Sequence, residues 1–337
     1  MNKHAIASPP AFVAILFGLL CPLLPLSGSA MEPSERRSFH PTLNGQWIGN
    51  GISYSPYRDG EGPGLGVTSR ENILEDLQII ARRWNLVRLY GSDWQHQEVL
   101  EVIDEHGLPV RVMLGIWLDA HKSDAENQAQ VELAIELANR FPDIVVAVNV
   151  GNEIFVYWSW HRIGDMDGVI EKIRRVRSSI RQPVTVSDDY NFWNKPESKK
   201  LAAELDFICL HGYAVWNQQL LDDAMAWTAS TYRAIQAHHP EHPVAFCETG
   251  WPTSKVSTGD SDEARLVKAR VGEGEQAVFF DEYDRWVEDN RVVSFYFTSF
   301  DEKWKGGFDG ETPMKKMEKH WGLYFSDRTP KKAMQER

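Results

Sequence analysis

The stretch "IVVAVNVGNE", residues 144–153, decides how this chain folds. Six of its first seven residues are apolar, β-branched residues dominate, and it ends on a glutamate. A run this uniformly apolar and this short reads as a strand buried on both faces, because a half-exposed strand would alternate polar and apolar positions. A second run of the same kind, "PVAFCETGW" at 243–251, carries Glu248 where the first carries Glu153. Six more lie around them: "WIGNGISYS" (47–55), "LVRLYG" (86–91), "PVRVMLGIWL" (109–118), "PVTVSDD" (183–189), "LDFICLHGY" (205–213) and "VVSFYFTSFDE" (292–302).

Amphipathic runs separate these eight. "SRENILEDLQIIARRW" opens on Ser69, a natural helix cap, and "HQEVLEVIDEHG" stops at Gly107. The runs "NQAQVELAIELANRFP" and "MDGVIEKIRRVRSSIRQP" end at Pro142 and Pro183, and "LDDAMAWTASTYRAIQAHHP" and "EQAVFFDEYDRWVEDN" complete the series. A fifth helix is expected near 195–204. Eight buried strands alternating with helices predict a parallel (β/α)8 TIM barrel. A doubly wound open sheet would usually carry a glycine-rich phosphate loop after an early strand, and none is present.

The first 30 residues read differently. Lys3 and His4 precede the apolar run "AFVAILFGLLCPLLPL", then "SGSA", with Gly28 and Ala30 placed for cleavage. We expect a cleaved signal peptide at 1–30, a flexible mature N-terminus at 31–42, and a single catalytic domain with a C-terminal extension at 43–337. That organisation implies a secreted or periplasmic protein with no membrane contact after cleavage. The net charge of −12 opposes phosphate backbones and anionic lipids, so nucleic acid is not an expected partner. Of three cysteines, only Cys209 and Cys247 lie outside the leader. Side chains alternate along a strand. If Glu248 and Tyr213 face the barrel axis, Cys209 faces it too and Cys247 faces the helices, which predicts two free thiols.

In a (β/α)8 barrel the C-terminal ends of the strands form the reactive rim. Glu153 ends strand four and Glu248 ends strand seven, so both carboxyls meet there. Two such carboxyls suit proton transfer and nucleophilic attack at an acetal carbon. The tryptophans favour the same chemistry. Eight of 13, namely Trp94, Trp117, Trp158, Trp160, Trp193, Trp216, Trp251 and Trp304, fall at or just past strand ends. Aromatic faces stack on the C–H faces of sugar rings. Trp251, three residues past Glu248, is expected at the rim as a sugar contact. No HExxH, histidine cluster or GxSxG elbow appears, so neither metal nor other cofactor is expected.

The motifs "VGNE" after strand four, "ETGWP" at strand seven, "FDEKWK" after strand eight and "HWGLY" near the C-terminus, with "GISYSP" and "RLYG" on the first two strands, together resemble family 17 glycoside hydrolases over roughly residues 47–326. The resemblance implies retaining cleavage of β-1,3-glucan, with Glu153 as general acid/base and Glu248 as nucleophile. It implies that Asn152 bonds the sugar 2-hydroxyl, that Arg88 and Tyr213 flank the nucleophile, and that Glu302 and Lys305 line the donor-sugar pocket near Tyr54 and Phe300. The chain departs from the plant members in long loops at 155–165, 188–196 and 252–272. The second adds Asp188, Asp189 and Trp193 as further candidates for the rim. Such loops could close one end of the cleft and leave endo-action open. Three functions therefore stand: a glucan hydrolase, a glucanosyltransferase, and a non-catalytic glucan-binding barrel. The partner in each case is a β-glucan, and a monomer is expected.

Overall fold

The eight apolar runs become eight parallel strands, each trimmed to its hydrogen-bonded centre. The computed structural model describes residues 36–66, 68–257, 259, 261–306 and 316–335. Strands β1 (Asn50–Ser53), β2 (Leu86–Arg88), β3 (Arg111–Ile116), β4 (Val145–Asn152), β5 (Val184–Asp189), β6 (Ile208–His211), β7 (Val244–Thr249) and β8 (Ser294–Tyr296) close into a barrel. They run in chain order, with β8 returning to β1. This is the expected (β/α)8 TIM barrel. The expected leader at 1–30 lies outside the described residues.

Helices α1 (Arg70–Ile80), α2 (Trp94–Glu105), α3 (Asp124–Arg140) and α4 (Met166–Ser179) start where side-chain oxygens can take their free N–H groups. Ser69 accepts from Asn72, Asp93 from Gln95 and His96, Ser123 forms a capping box with Glu126, and Asp165 accepts from Gly168. Each packs one apolar stripe on the barrel, as α1 does with Ile73, Leu77 and Ile80. The expected fifth helix is two short ones, α5 (Tyr190–Trp193) and α6 (Ser198–Ala202), because Pro196 cannot continue α5. Helices α7 (Leu221–His238), α8 (Asp262–Leu266), α9 (Glu273–Asn290) and α10 (Lys332–Gln335) complete the shell.

Inside the barrel floor lie Leu86, Met113, Ala147, Phe207, Cys209, Ala245, Cys247 and Phe295, with Ile48 beneath. The described part of the stretch expected to be flexible, residues 36–42, is tied down against this floor. Phe39 stacks on Phe207 at 4.4 Å, the Arg37 amide donates to Asp206 at 2.7 Å, and the Arg37 guanidinium donates to the carbonyls of Gln182 and Arg177. A short hairpin, Thr42–Leu43 with Gln46–Trp47, follows.

Cys209 and Cys247 are not free thiols. They form a disulfide with a Cα–Cα distance of 5.3 Å. The parity argument fails at a bulge. Leu210 pairs with Phe246 and His211 with Glu248, so β7 spends two steps where β6 spends one. The extra residue lets Cys247 and Glu248 both turn inward. Strand β4 carries a similar irregularity between Asn149 and Asn152, opposite Thr185 and Ser187. Both glutamates thus follow a break in register that re-aims the chain.

Candidate active site

Local backbone chemistry sets the acid end. Gly151 adopts φ +96°, and a Cβ there would sit 2.5 Å from Ile154 Cδ1. Glu153 itself is left-handed at φ +51°, with its amide donating to the Ser187 carbonyl at 2.8 Å. The turn "VGNE" therefore needs glycine at its second position to swing Glu153 over the barrel mouth.

Glu248 is held from three directions. Arg88, fully buried, donates from Nη1 to Glu248 Oε1 at 2.6 Å and to the Cys247 carbonyl at 3.1 Å, and from Nη2 to Asn152 Oδ1 at 2.5 Å. The Tyr213 hydroxyl donates to Glu248 Oε2 at 2.8 Å. His211 Nδ1 lies 3.0 Å from Glu153 Oε1 and 3.6 Å from Glu248 Oε2, bridging the two carboxyls. Lys305 pairs with Glu302 at 2.7 Å and stands over the ring of Phe297, 4.2 Å from its centroid. Tyr57 meets Trp304 edge-on at 5.5 Å beside this pair. One oxygen of Glu153 and one of Glu248 lie within 4.8 Å of each other.

The two carboxyls have opposite electrostatic surroundings. Although 16% of the Glu153 side chain remains exposed, burial first, then the charges of Glu248, Asp189 and Asp188, raise it well above the ordinary carboxylate range. Burial also opposes charge on Glu248, but His211, Arg88, the Tyr213 hydroxyl and Lys305 outweigh it and hold that carboxyl low. Burial lowers His211 itself to about 3, so its pull on Glu248 as a cation is confined to acid, and near neutral pH Arg88 and Lys305 carry the cationic stabilisation. The site therefore favours the proton on Glu153 and the negative charge on Glu248.

Several sequence candidates sit elsewhere. Tyr54 and Phe300 are buried behind β1, where the Tyr54 hydroxyl donates to Asp76 at 3.1 Å and Arg328 lies over Phe300. Ser53 is the register partner of Arg88, which points inward, so its neighbour Tyr54 must face the helices. Trp251 is core. Its ring packs on Phe279 at 5.3 Å and its Nε1 donates to the Arg270 carbonyl at 3.2 Å. An odd step of three from inward-facing Glu248 turns it outward. Trp193 is fully buried behind β6, its Nε1 donating to the Cys209 carbonyl at 3.1 Å. Asp189 ends β5 beside His211 and caps α5 through the Asn191 amide; burial raises it to about 6. It influences Glu153 through charge. Arg88, Asn152, Tyr213, Glu302 and Lys305 converge on the glutamates or their rim.

His211 was not among the sequence candidates. A signal existed: it stands two residues before Tyr213 in "LHGY", hence on the same face. Its ring also makes a three-residue cluster with Glu153 and Glu248 that could in outline accept an ion. Both Glu248 oxygens are already engaged by Arg88 and Tyr213, and the Arg88 charge opposes a cation. Trp321, itself buried, packs edge-on against Tyr213 with ring centroids 5.0 Å apart.

The BtgE/BtgC glycoside hydrolase domain model matches residues 51–322, from the second residue of β1 to beyond β8, and includes both glutamates. The chain belongs to the BtgE/BtgC glycoside hydrolase family. Among its relatives, the glucan 1,3-beta-glucosidase of Schizosaccharomyces pombe is 26% identical over 277 residues, which are 77% of this chain and 79% of that protein. The Aspergillus niger btgC protein, named for glucan endo-1,3-beta-glucosidase activity, is 29% identical over 279 residues. These cover 78% of this chain but 40% of the longer Aspergillus protein, so the chain spans about two fifths of that relative. An endo-laminarinase from Formosa superposes with TM-score 0.72 at 22% identity, covering 86% of this chain and 87% of that one, and shares the barrel fold.

Proposed function

We propose that this BtgE/BtgC family member is a retaining β-1,3-glucan-active enzyme that works through a covalent glycosyl-enzyme on Glu248. The observation that carries the reading is the pair of carboxyls within 4.8 Å, one raised and one lowered. Retaining glycosidases need about 5–5.5 Å between them, whereas inverting enzymes leave about 6.5–9.5 Å for a water.

Glu248, ionised beside Arg88 and Tyr213, attacks the anomeric carbon. Glu153, protonated, gives its proton to the departing oxygen. The bond from that carbon to the leaving group breaks as the bond to Glu248 forms. Glu153, now a carboxylate, takes a proton from water or from an acceptor hydroxyl, which displaces Glu248 and restores the original configuration. Asn152, anchored by Arg88, is placed for the sugar 2-hydroxyl, and Glu302 and Lys305 for the donor sugar. The names of the relatives point to β-1,3-glucan as the substrate class.

A second reading, glucan transfer, rests on the aromatic rim and on likeness of fold to a β-1,3-glucanosyltransferase from Rhizomucor miehei, with TM-score 0.67 and 21% identity, covering 85% of this chain and 96% of that one. Incubation with laminari-oligosaccharides separates the readings: shorter products mean hydrolysis, longer ones transfer, and no change overturns both. Inversion at the anomeric carbon of the first product overturns the retaining mechanism. Export through the leader at 1–30 remains part of the proposal. Among the described residues no helix is long and apolar enough to cross a membrane.

A further inference from the structure

Exposed aromatic rings gather beside the acid. Tyr157 is 74% exposed, Trp158 49% and Trp160 67%, within a single loop of the chain that begins at the residue after Glu153. Loose hydrophobic residues on a surface are ordinary, but three large rings within four positions are not.

The loop carrying them is firmly built. The Ile163 amide donates to the Ile154 carbonyl at 2.7 Å and closes its neck. The amides of Phe155 and Val156 donate to the buried Asp188 carboxyl at 2.8 and 3.2 Å, and Phe155 stacks on Phe192 of α5. His161 is buried, bonded to the Asn152 carbonyl at 2.7 Å and stacked on Trp117 at 4.7 Å. His121, from the loop after β3, bonds the Trp160 carbonyl at 2.9 Å and lies parallel to its ring, 5.5 Å away and tilted 11°. The interior-facing half of the loop is thus anchored to the acid's own strand, while the aromatic half is held out to solvent.

Position assigns the occupant. Glu302 and Lys305 follow β8, four strands around the barrel from β4, which places the donor-sugar side opposite this loop. A general acid stands beside the oxygen it protonates, so the chain that departs, or the acceptor that replaces it, passes on the Glu153 side. The loop offers flat apolar faces and a single cation, Arg162, which suits a neutral, hydroxyl-rich ligand with C–H faces.

We propose that the loop 154–163 is a preformed platform for the leaving-group or acceptor part of a β-glucan chain, with Trp158 and Trp160 as its stacking rings. This rests on the function proposed above. When an acceptor chain is held there, its hydroxyl attacks the anomeric carbon, the bond to Glu248 breaks, and the proton passes to Glu153.

The test uses the full chain with Glu248→Ala, titrated calorimetrically with laminarihexaose, alone and combined with Trp158→Ala and Trp160→Ala. Two lost stacking contacts should weaken binding roughly tenfold or more. In the active background, the double change should also lower the ratio of transfer to hydrolysis products at high oligosaccharide concentration. Trp158→Phe with Trp160→Phe, which keeps a ring at each position, should recover most of both losses. Unchanged affinity in a double-Ala protein that melts normally overturns the platform, as does a double-Phe protein as weak as double-Ala. Loss of self-association in place of glucan affinity overturns it as well, making the patch an interface between copies. If the parent Glu248→Ala protein binds no laminarihexaose and the unaltered protein turns none over, the underlying functional reading falls first.

Discussion

Replacing Tyr213 with Phe removes one hydrogen bond and little else. The ring contacts with Trp321 at 5.0 Å and Phe297 at 6.0 Å survive, while the 2.8 Å bond from the hydroxyl to Glu248 Oε2 is lost. A hydrogen bond to a charged group contributes about 1.5–3 kcal/mol. At 1.36 kcal/mol per pH unit, its removal should raise the Glu248 carboxyl by about 1–2 units. Arg88 remains on the other oxygen, so Glu248 stays ionised at neutral pH. Activity requires Glu248 ionised and Glu153 protonated, so kcat/KM should be bell-shaped in pH. The acid limb should therefore move upward by about 1–2 units and narrow the bell, with the alkaline limb, set by Glu153, moving less. Stability follows the same sign. A lowered folded-state carboxyl stabilises above its unfolded value and loses that contribution as pH falls, so the variant should be less stable at neutral pH, and the gap should close in acid. The assay is a pH profile of kcat/KM on laminarin beside thermal melts of both proteins at neutral and acidic pH. An unmoved acid limb in a folded variant, or a shift confined to the alkaline limb, would refute the assignment of Glu248 as the ionised partner.

Three further outcomes are expected. Glu248→Ala and Glu153→Ala should each lose about 10⁴-fold in turnover, equivalent to ~5.4 kcal/mol of barrier; azide should yield an α-configured product with the first and a β-configured product with the second, and swapped anomers would reverse the roles. Alkylation of the unreduced, denatured protein lacking its leader should label no thiol. Closing 38 residues of chain by the Cys209–Cys247 bond should contribute up to ~4 kcal/mol through the unfolded state, so Cys209→Ala with Cys247→Ala should melt markedly lower; two labelled thiols would show that the bond does not form. Trp251→Ala, emptying a fully buried site against Phe279, should cost about 3–5 kcal/mol of stability, and a normal melt with weakened glucan binding would restore Trp251 to the rim.

The order of strands, the helices between them and the two glutamates were legible in the residues, because burial on both faces forces a strand to be apolar throughout and the rim of such a barrel admits charge. Arg88, Asn152 and Tyr213 also fell where motif and chain position put them. What the residues did not disclose was direction. Side-chain alternation predicts facing only while the register is unbroken, and the bulge at Cys247 defeats it: two cysteines that alternation separates become bonded. Tyr54 and Phe300 were expected near the donor-sugar pocket from the family resemblance, and Trp193 and Trp251 from their place just past strand ends, yet all four lie among buried side chains behind or beside the barrel wall. His211 went the other way, joining two carboxyls that are 58 and 37 positions from it along the chain. Such a contact exists only when β4, β6 and β7 curve around one axis, so the chemistry of the residues was set by the sequence and their meeting by the closure of the sheet.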